Sequence, residues 1–164
     1  MAKKKKVARK AARKIVKKSA RKPVEAKRRK ATRRQTRMRD PLLAPIAGAE
    51  GREVGGVRLD VGRAGTARVK RLIYPAGFRW SVHMKPIVGS DLCMHAHVGF
   101  LARGEIHIEY ADGCVLKFKA PQIVAIDPGH DGWVVGPEPV VLIEFDFEGD
   151  TVSRLGVPDA HRHP

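Results

Sequence analysis

From Val54 onward the chain runs in short apolar–polar alternations cut by turn signals, and this period of two is what most limits its fold. Ile106-His107-Ile108-Glu109-Tyr110 alternates strictly, which puts Ile106, Ile108 and Tyr110 on one face of a strand. Asp112-Gly113, a tight-turn dipeptide, follows, and then Leu116 and Phe118 alternate with Lys117 and Lys119. Ile143, Phe145 and Phe147 alternate with Glu144 and Asp146. The pattern predicts further strands near 55–61, 66–74, 78–84, 92–102, 122–127 and 132–135. Pro75-Ala76-Gly77, Arg103-Gly104, Ala120-Pro121, Asp127-Pro128-Gly129 and Gly136-Pro137 separate them. Nothing in 41–164 keeps a helical period over ten residues, and no fixed-period repeat occurs. Many short strands with close turns predict an all-β sandwich or barrel.

The first forty residues cannot share that core. They hold 20 Lys and Arg against two acids, Glu25 and Asp40, a balance of +18; the other 124 residues hold 13 bases and 15 acids, a balance of −2. The apolar residues larger than Ala are Val7, Ile15, Val16, Val24 and Met38, too few to repay the entropy of ordering. A disordered cationic arm is therefore expected, with basic clusters at Lys3, Lys4, Lys5, Lys6 and at Arg28, Arg29, Lys30, Arg33, Arg34. Val7, Ala11 and Ile15 would form a narrow stripe on a helix that Pro23 stops. Like charges four apart oppose that helix until a polyanion neutralises them. Nucleic acid is the obvious polyanion, bound by counterion release with steep salt dependence and little sequence preference. The arm has no aromatic residue on which bases could stack, so duplex or folded RNA suits it better than single strands. The plainer reading is a solubilising extension. In composition the arm resembles the Lys/Ala-rich tails of histone-like and linker-histone-like proteins.

No apolar run approaches the ~18–20 residues of a membrane-spanning helix, and Met1-Ala2-Lys3-Lys4-Lys5-Lys6 lacks a secretory signal's apolar core. Cys93 and Cys114 make no disulfide framework, which points to a reducing, cytoplasmic location, nucleoid-associated if the arm holds DNA. There is no Ser/His/Asp order, Walker loop, GxGxxG or CxxC to support acyl transfer, nucleotide hydrolysis or dinucleotide binding. The expected organisation is an arm over 1–40, a linker over 41–52 opening on Asp40-Pro41, a barrel over 53–150 and a tail over 151–164.

Seven histidines lie beyond the arm. His161 and His163, in the Pro-flanked tail, are expected in solvent, and His107 is expected to face water or the interior without a partner. His95-Ala96-His97 is the informative group: residues two apart on a strand share a face, so the pair can offer two imidazoles to one ion. Asp127 and Asp131 flank the turn before and after His130 and suit capping it or orienting His130, and Trp80 and Trp133 suit packing.

Across roughly 70–147 the sequence resembles the cupin family of small β-barrels. Gly89-Ser90-Asp91-Leu92-Cys93-Met94-His95-Ala96-His97 is similar to the opening of the first cupin motif, and Ala120-Pro121-Gln122 through Gly129-His130 to the second. The Glu usual after H-x-H is absent, and His130 follows Gly129 directly. Counted back from Gly104, His97 takes the place of that Glu, and Gly77 through His83 fits the motif opening equally well. The stretches around Trp80–His83, His97–Phe100 and Pro128–Trp133 resemble a subgroup of small single-domain cupins. The resemblance implies a jelly-roll (double-stranded β-helix) barrel with metal ligands drawn from His97, His130, His83 and His95, and with Cys93 and Asp131 in support. It implies a divalent transition metal (Fe, Zn, Ni or Cu), a small-molecule ligand and a homodimer. Two functions stay open: a metal-dependent, oxygenase-like enzyme, or a non-catalytic ligand sensor tethered to DNA or RNA by its arm.

Overall fold

A computed structural model of the chain describes residues 40–161. The basic arm with its Lys and Arg clusters, and His163, lie outside the described residues.

The alternating segments become nine strands among the described residues: β1 (Glu50–Val54), β2 (Val57–Ala64), β3 (Ala67–Tyr74), β4 (His97–Arg103), β5 (Glu105–Tyr110), β6 (Val115–Lys119), β7 (Gln122–Ile126), β8 (His130–Val135) and β9 (Val140–Phe147). One sheet runs β1-β2-β3-β9-β4-β7 and the other β6-β5-β8, with every pairing antiparallel. The inward side chains of the two sheets make one core, with Leu101, Val124 and Leu142 from the first meeting Ile106, Ile108 and Phe118 from the second. The all-β expectation is met.

Three local differences from the sequence reading bear on the site. The strand expected over 78–84 is instead a pair of helical turns, α1 (Trp80–His83) and α2 (Lys85–Val88). Pro86 sits in the first turn of α2, where its missing N–H is no loss, and Gly89 ends it at φ 80, a left-handed conformation that glycine adopts freely. The strand expected over 92–102 begins only at His97, so His95 and Ala96 precede it and the H-x-H pair is not set by strand alternation. A further short helix, α3 (Thr151–Leu155), follows β9.

Strand β9 turns its polar side inward. Glu144 and Asp146 are buried at 0% and 1% exposure, whereas Phe145 is 54% exposed. The cause lies on the neighbouring strand, where Lys70 pairs in register with Glu144 and Arg68 with Asp146. Arg68 Nε donates to Asp146 Oδ1 at 2.6 Å, and Lys70 Nζ lies 2.6 Å from Glu144 Oε1 and 2.7 Å from Asp146 Oδ2. Buried charges persist only when paired, and here two cations meet two anions across one strand pair.

Candidate metal centre and pocket

Strand β4 brings His97 to the site. His97 and Gly99 share its inward face, and Gly99 lies opposite Glu144 on β9. A side chain at Gly99 would collide with the β9 backbone: its Cβ would stand 2.6 Å from Glu144 Cα and against Ile143 O. The missing side chain lets the strands close, and His97 Nδ1 donates diagonally to Glu144 Oε2 at 2.6 Å. The ring's other nitrogen, Nε2, lies 3.7 Å from Cys93 Sγ.

His130 opens β8, delivered by the turn in which Gly129 adopts φ 90. Its Nδ1 donates to the carbonyl oxygen of Asp127 at 2.6 Å, which leaves Nε2 for the interior. Cys93 is clamped against the same turn by a two-residue bridge: Cys93 N donates to His130 O, and Gly129 N to Cys93 O, both at 2.7 Å. The outcome is a buried trio in which one ligand atom from each of Cys93, His97 and His130 lies within 4.8 Å of the others. Both imidazoles have one nitrogen fixed by an oxygen acceptor and the other turned to the trio, which is how metal-binding histidines are usually held.

Charge sharpens the picture. Burial pushes the Cys93 thiol up, but hydrogen bonds from His130 and His97 and the charge on His97 outweigh it and bring the thiol down to about 5. Burial pushes His97 down, yet the Glu144 carboxylate and the contact with Cys93 raise it to about 10. Burial pushes Glu144 up, and the charge and hydrogen bond of His97 with the charge of Lys70 more than reverse that, holding it well below the usual carboxylate range. All three shifts favour the charged form of the group, with the Cys93 thiol lowered, the His97 imidazole raised and the Glu144 carboxyl lowered by one another's proximity.

A second group, His95, His97 and Glu144, also lies within 4.8 Å. Here a cation is already present. Lys70 Nζ stands 3.0 Å from His95 Nε2 and 2.6 Å from Glu144 Oε1. An ammonium has no acceptor, so His95 Nε2 accepts from it, and a divalent ion would meet that charge.

The structure therefore gathers His97 and His130, with Cys93 as the third member in place of a third histidine. His95 stands beside them, its ring centroid 5.0 Å from that of His97, but is engaged by Lys70. His83 does not join: its Nδ1 is 2.9 Å from Arg79 O, within its own helical turn, and its ring stacks on Phe78. Asp131 points the other way along β8, where it accepts from Arg79 Nε at 2.7 Å and from the Ser81 backbone N–H and hydroxyl. The carbonyl of Asp127, not a carboxylate, orients His130. His107 has a partner in Glu105 at 3.0 Å, and His161 stacks on Tyr110 with ring centroids 3.7 Å apart instead of standing in solvent. Trp133 packs beneath the Arg79 guanidinium, and Trp80 lies in the core. Glu144 and Lys70 are the site residues the sequence reading missed. The signal was Arg68-x-Lys70 against Glu144-x-Asp146, equal spacings of opposite charge on two strands.

A cavity of about 560 Å³ adjoins the trio, with Cys93, His97 and Glu144 in its lining. Val57, Leu59 and Leu72 line it from the larger sheet, and Met84 and Val88 from the helical turns. A separate void of about 30 Å³ in the core is bordered by both His97 and His130.

Fold and site together define a domain of two antiparallel β-sheets with a Cys93/His97/His130 group placed where it could hold a metal ion. No protein-family model matches the chain, and no curated protein matches it. Solved structures with similar folds include a cupin 2 conserved barrel domain protein from Salinispora arenicola CNS-205, 15% identical, covering 70% of this chain and 94% of that one at a TM-score of 0.46. Another is an uncharacterized conserved protein with a double-stranded β-helix domain from Klebsiella pneumoniae subsp. pneumoniae MGH 78578, 19% identical over 68% of this chain and 88% of that one, TM-score 0.42. A cupin-2 domain from Rhodospirillum rubrum is 16% identical over 62% of this chain and 71% of that one, TM-score 0.45. At these identities the likeness concerns the fold and reaches no site residue. Among the described residues no helix is long and apolar enough to cross a membrane.

Proposed function

We propose that this domain binds a divalent transition metal through Cys93, His97 and His130 and takes a small molecule into the adjoining cavity. The observation that carries the reading is the paired orientation of the two imidazoles, each with Nδ1 tied to an oxygen and Nε2 free for the trio. The separation fits as well. Ligands of a tetrahedral ion with metal–sulfur and metal–nitrogen bonds of usual length stand roughly 3.5 Å apart, and Cys93 Sγ lies 3.7 Å from His97 Nε2. One thiolate and two imidazoles suit Zn, Fe, Ni or Cu and do not suit Mg or Ca. Bound here, the metal would supply Lewis-acid chemistry to a group brought against the trio. The chain's own part is to release the His97 proton as the metal arrives, to hold both rings through Glu144 and Asp127, and to keep the thiolate out of bulk water.

The test is Co(II) titration of the untagged full-length chain. Stoichiometric binding with a thiolate-to-metal absorption band is expected. Cys93→Ser should abolish the band, and His130→Ala should weaken binding more than about tenfold. A chain that takes up no stoichiometric metal overturns the reading.

A second reading rests on charge segregation: residues 1–40 carry +18 and the remainder −2. It makes the barrel a ligand sensor held on DNA or RNA by the arm. It requires salt-sensitive retention on DNA that vanishes when 1–40 are deleted, and a full-length chain that ignores DNA at low salt excludes it.

A further inference from the structure

Among the described residues, one charge lining the cavity beside the trio has no ion-pair partner. Lys70 pairs in charge with Glu144 and Asp146 and contacts His95, His97 is held between Glu144 and Cys93, and the Ser90 hydroxyl donates to Leu92 O at 2.8 Å. Arg52 is different. It lines the cavity from the edge strand β1, it is exposed, and it makes no ion pair with any acid among the described residues. Glu50 shares that face of β1 two residues away without lining the cavity.

Most of the rest of the wall is apolar, and part of it lies open to water. Val88 is 57% exposed and Met94 63%, both in the cavity lining. Exposed apolar side chains converging on one concave surface gain stability when an apolar body covers them, and methionine adapts its shape to what it covers. A polyhydroxylated ligand is disfavoured, because apart from Arg52 the wall's charged groups are paired with one another and most of its hydroxyls would lose water with little in return. The volume of about 560 Å³ lies within the range of ordinary small-molecule sites.

From this we infer that the cavity takes an amphipathic monocarboxylate, an alkyl or aryl acid whose carboxylate pairs with Arg52 and whose apolar body lies over Leu59, Leu72, Met84, Val88 and Met94 toward Cys93 and His97. The inference rests on the cavity being a ligand site but not on the metal being bound. The carboxylate is the natural partner of a guanidinium, which it meets with two parallel hydrogen bonds. The apolar end faces the centre, so the chemistry of the trio would fall on carbon remote from the acid group.

Trp80 lines the cavity and Trp133 does not, so a Trp133→Phe full-length chain reports binding there through one indole. Decanoate and decanol are the probes, titrated at about 0.3 M salt to screen the basic arm, with and without prior chelation. Decanoate should bind about tenfold more tightly than decanol. Arg52→Gln should abolish that preference while leaving decanol unchanged, and Arg52→Lys should restore part of it. Chelation should leave decanoate affinity intact. Four results overturn the inference: neither probe perturbing Trp80, equal binding of acid and alcohol, a preference that survives Arg52→Gln, or decanoate binding that disappears with the metal, which would place the carboxylate on the metal. A chain that takes up no Co(II) yet binds decanoate through Arg52 refutes the metal reading alone.

Discussion

Gly99→Ala tests how the strands create the centre. An alanine Cβ at this position would stand 2.6 Å from Glu144 Cα and 2.9 Å from Ile143 C, besides meeting Ile143 O. Ordinary contact begins at 3.4 Å, so β4 must retreat from β9 by at least the missing 0.8 Å. The atoms in the way are backbone and cannot rotate aside. A shift of that size carries hydrogen bonds of ordinary length beyond bonding range, so the pairing of Gly99 with Glu144 is lost locally. Overpacking costs ~1–3 kcal/mol and each lost hydrogen bond about 1. Alanine's smaller unfolded-state entropy returns only about 0.4–1 kcal/mol. The expected net loss is about 2–4 kcal/mol. Urea unfolding of the chelated chain, followed by tryptophan fluorescence, should show a lower midpoint at unchanged slope. Because His97 sits two residues away and its proton partner is Glu144, Co(II) affinity should fall as well. A midpoint within about 0.5 kcal/mol of the parent, the range of a neutral surface change, would refute the reasoning.

His83→Ala should leave Co(II) affinity and the thiolate band unchanged, since the ring is spent on Arg79 O and Phe78; a large loss of metal would show that His83 reaches the centre after all. Lys70→Met should destabilise by about 3–5 kcal/mol in chemical unfolding, because it removes the cation facing buried Glu144 Oε1 and leaves Asp146 to Arg68 alone, and a neutral result would refute the buried ion network. Asp60 accepts from Arg71 at 2.6 and 3.0 Å and from Arg58 at 3.1 Å. Burial pushes its carboxyl up, and those arginines more than offset this and hold it below the ordinary value of 3.8. The sign follows: its stabilisation is complete above the unfolded pKa of about 3.9 and disappears as pH falls through the lower folded value. Asp60→Asn should therefore cost about 3 kcal/mol near neutrality and flatten the stability-against-pH curve below about pH 4; an acid limb identical to the parent's would count against it.

Much of the sheet was legible because alternation and turn chemistry are local. The β5–β6 hairpin around Asp112-Gly113 falls where Ile106, Ile108 and Tyr110 and then Leu116 and Phe118 set it. The helical turns at Trp80–His83 and Lys85–Val88 were hidden, since after one bridge from Arg79 to Trp133 on β8 the N–H groups of Val82, His83 and Met84 bond back to Arg79 and Trp80 carbonyls instead of to a strand. The polarity of β9 was hidden for a related reason. Alternation divides residues between two faces without saying which face is inner, and the choice fell to Lys70 and Arg68 on another strand. His97 and His130 could be picked out as ligand types from the motif resemblance, but Cys93 becomes their partner through a bridge to His130 thirty-seven residues away.

Period, turn residues and charge act over a few positions, so local sequence set the strand-rich character of the domain, its turns, the charge imbalance between residues 1–40 and the remainder, and a short list of imidazoles. The packing of the strands decided that His97, His130 and Cys93 meet while His83 and Asp131 turn away, that Glu144 lies inside, and that Arg52 stands over a cavity with no counter-charge among the described residues. Those outcomes depend on which strands become neighbours and in what register, and no short stretch of chain carries that information.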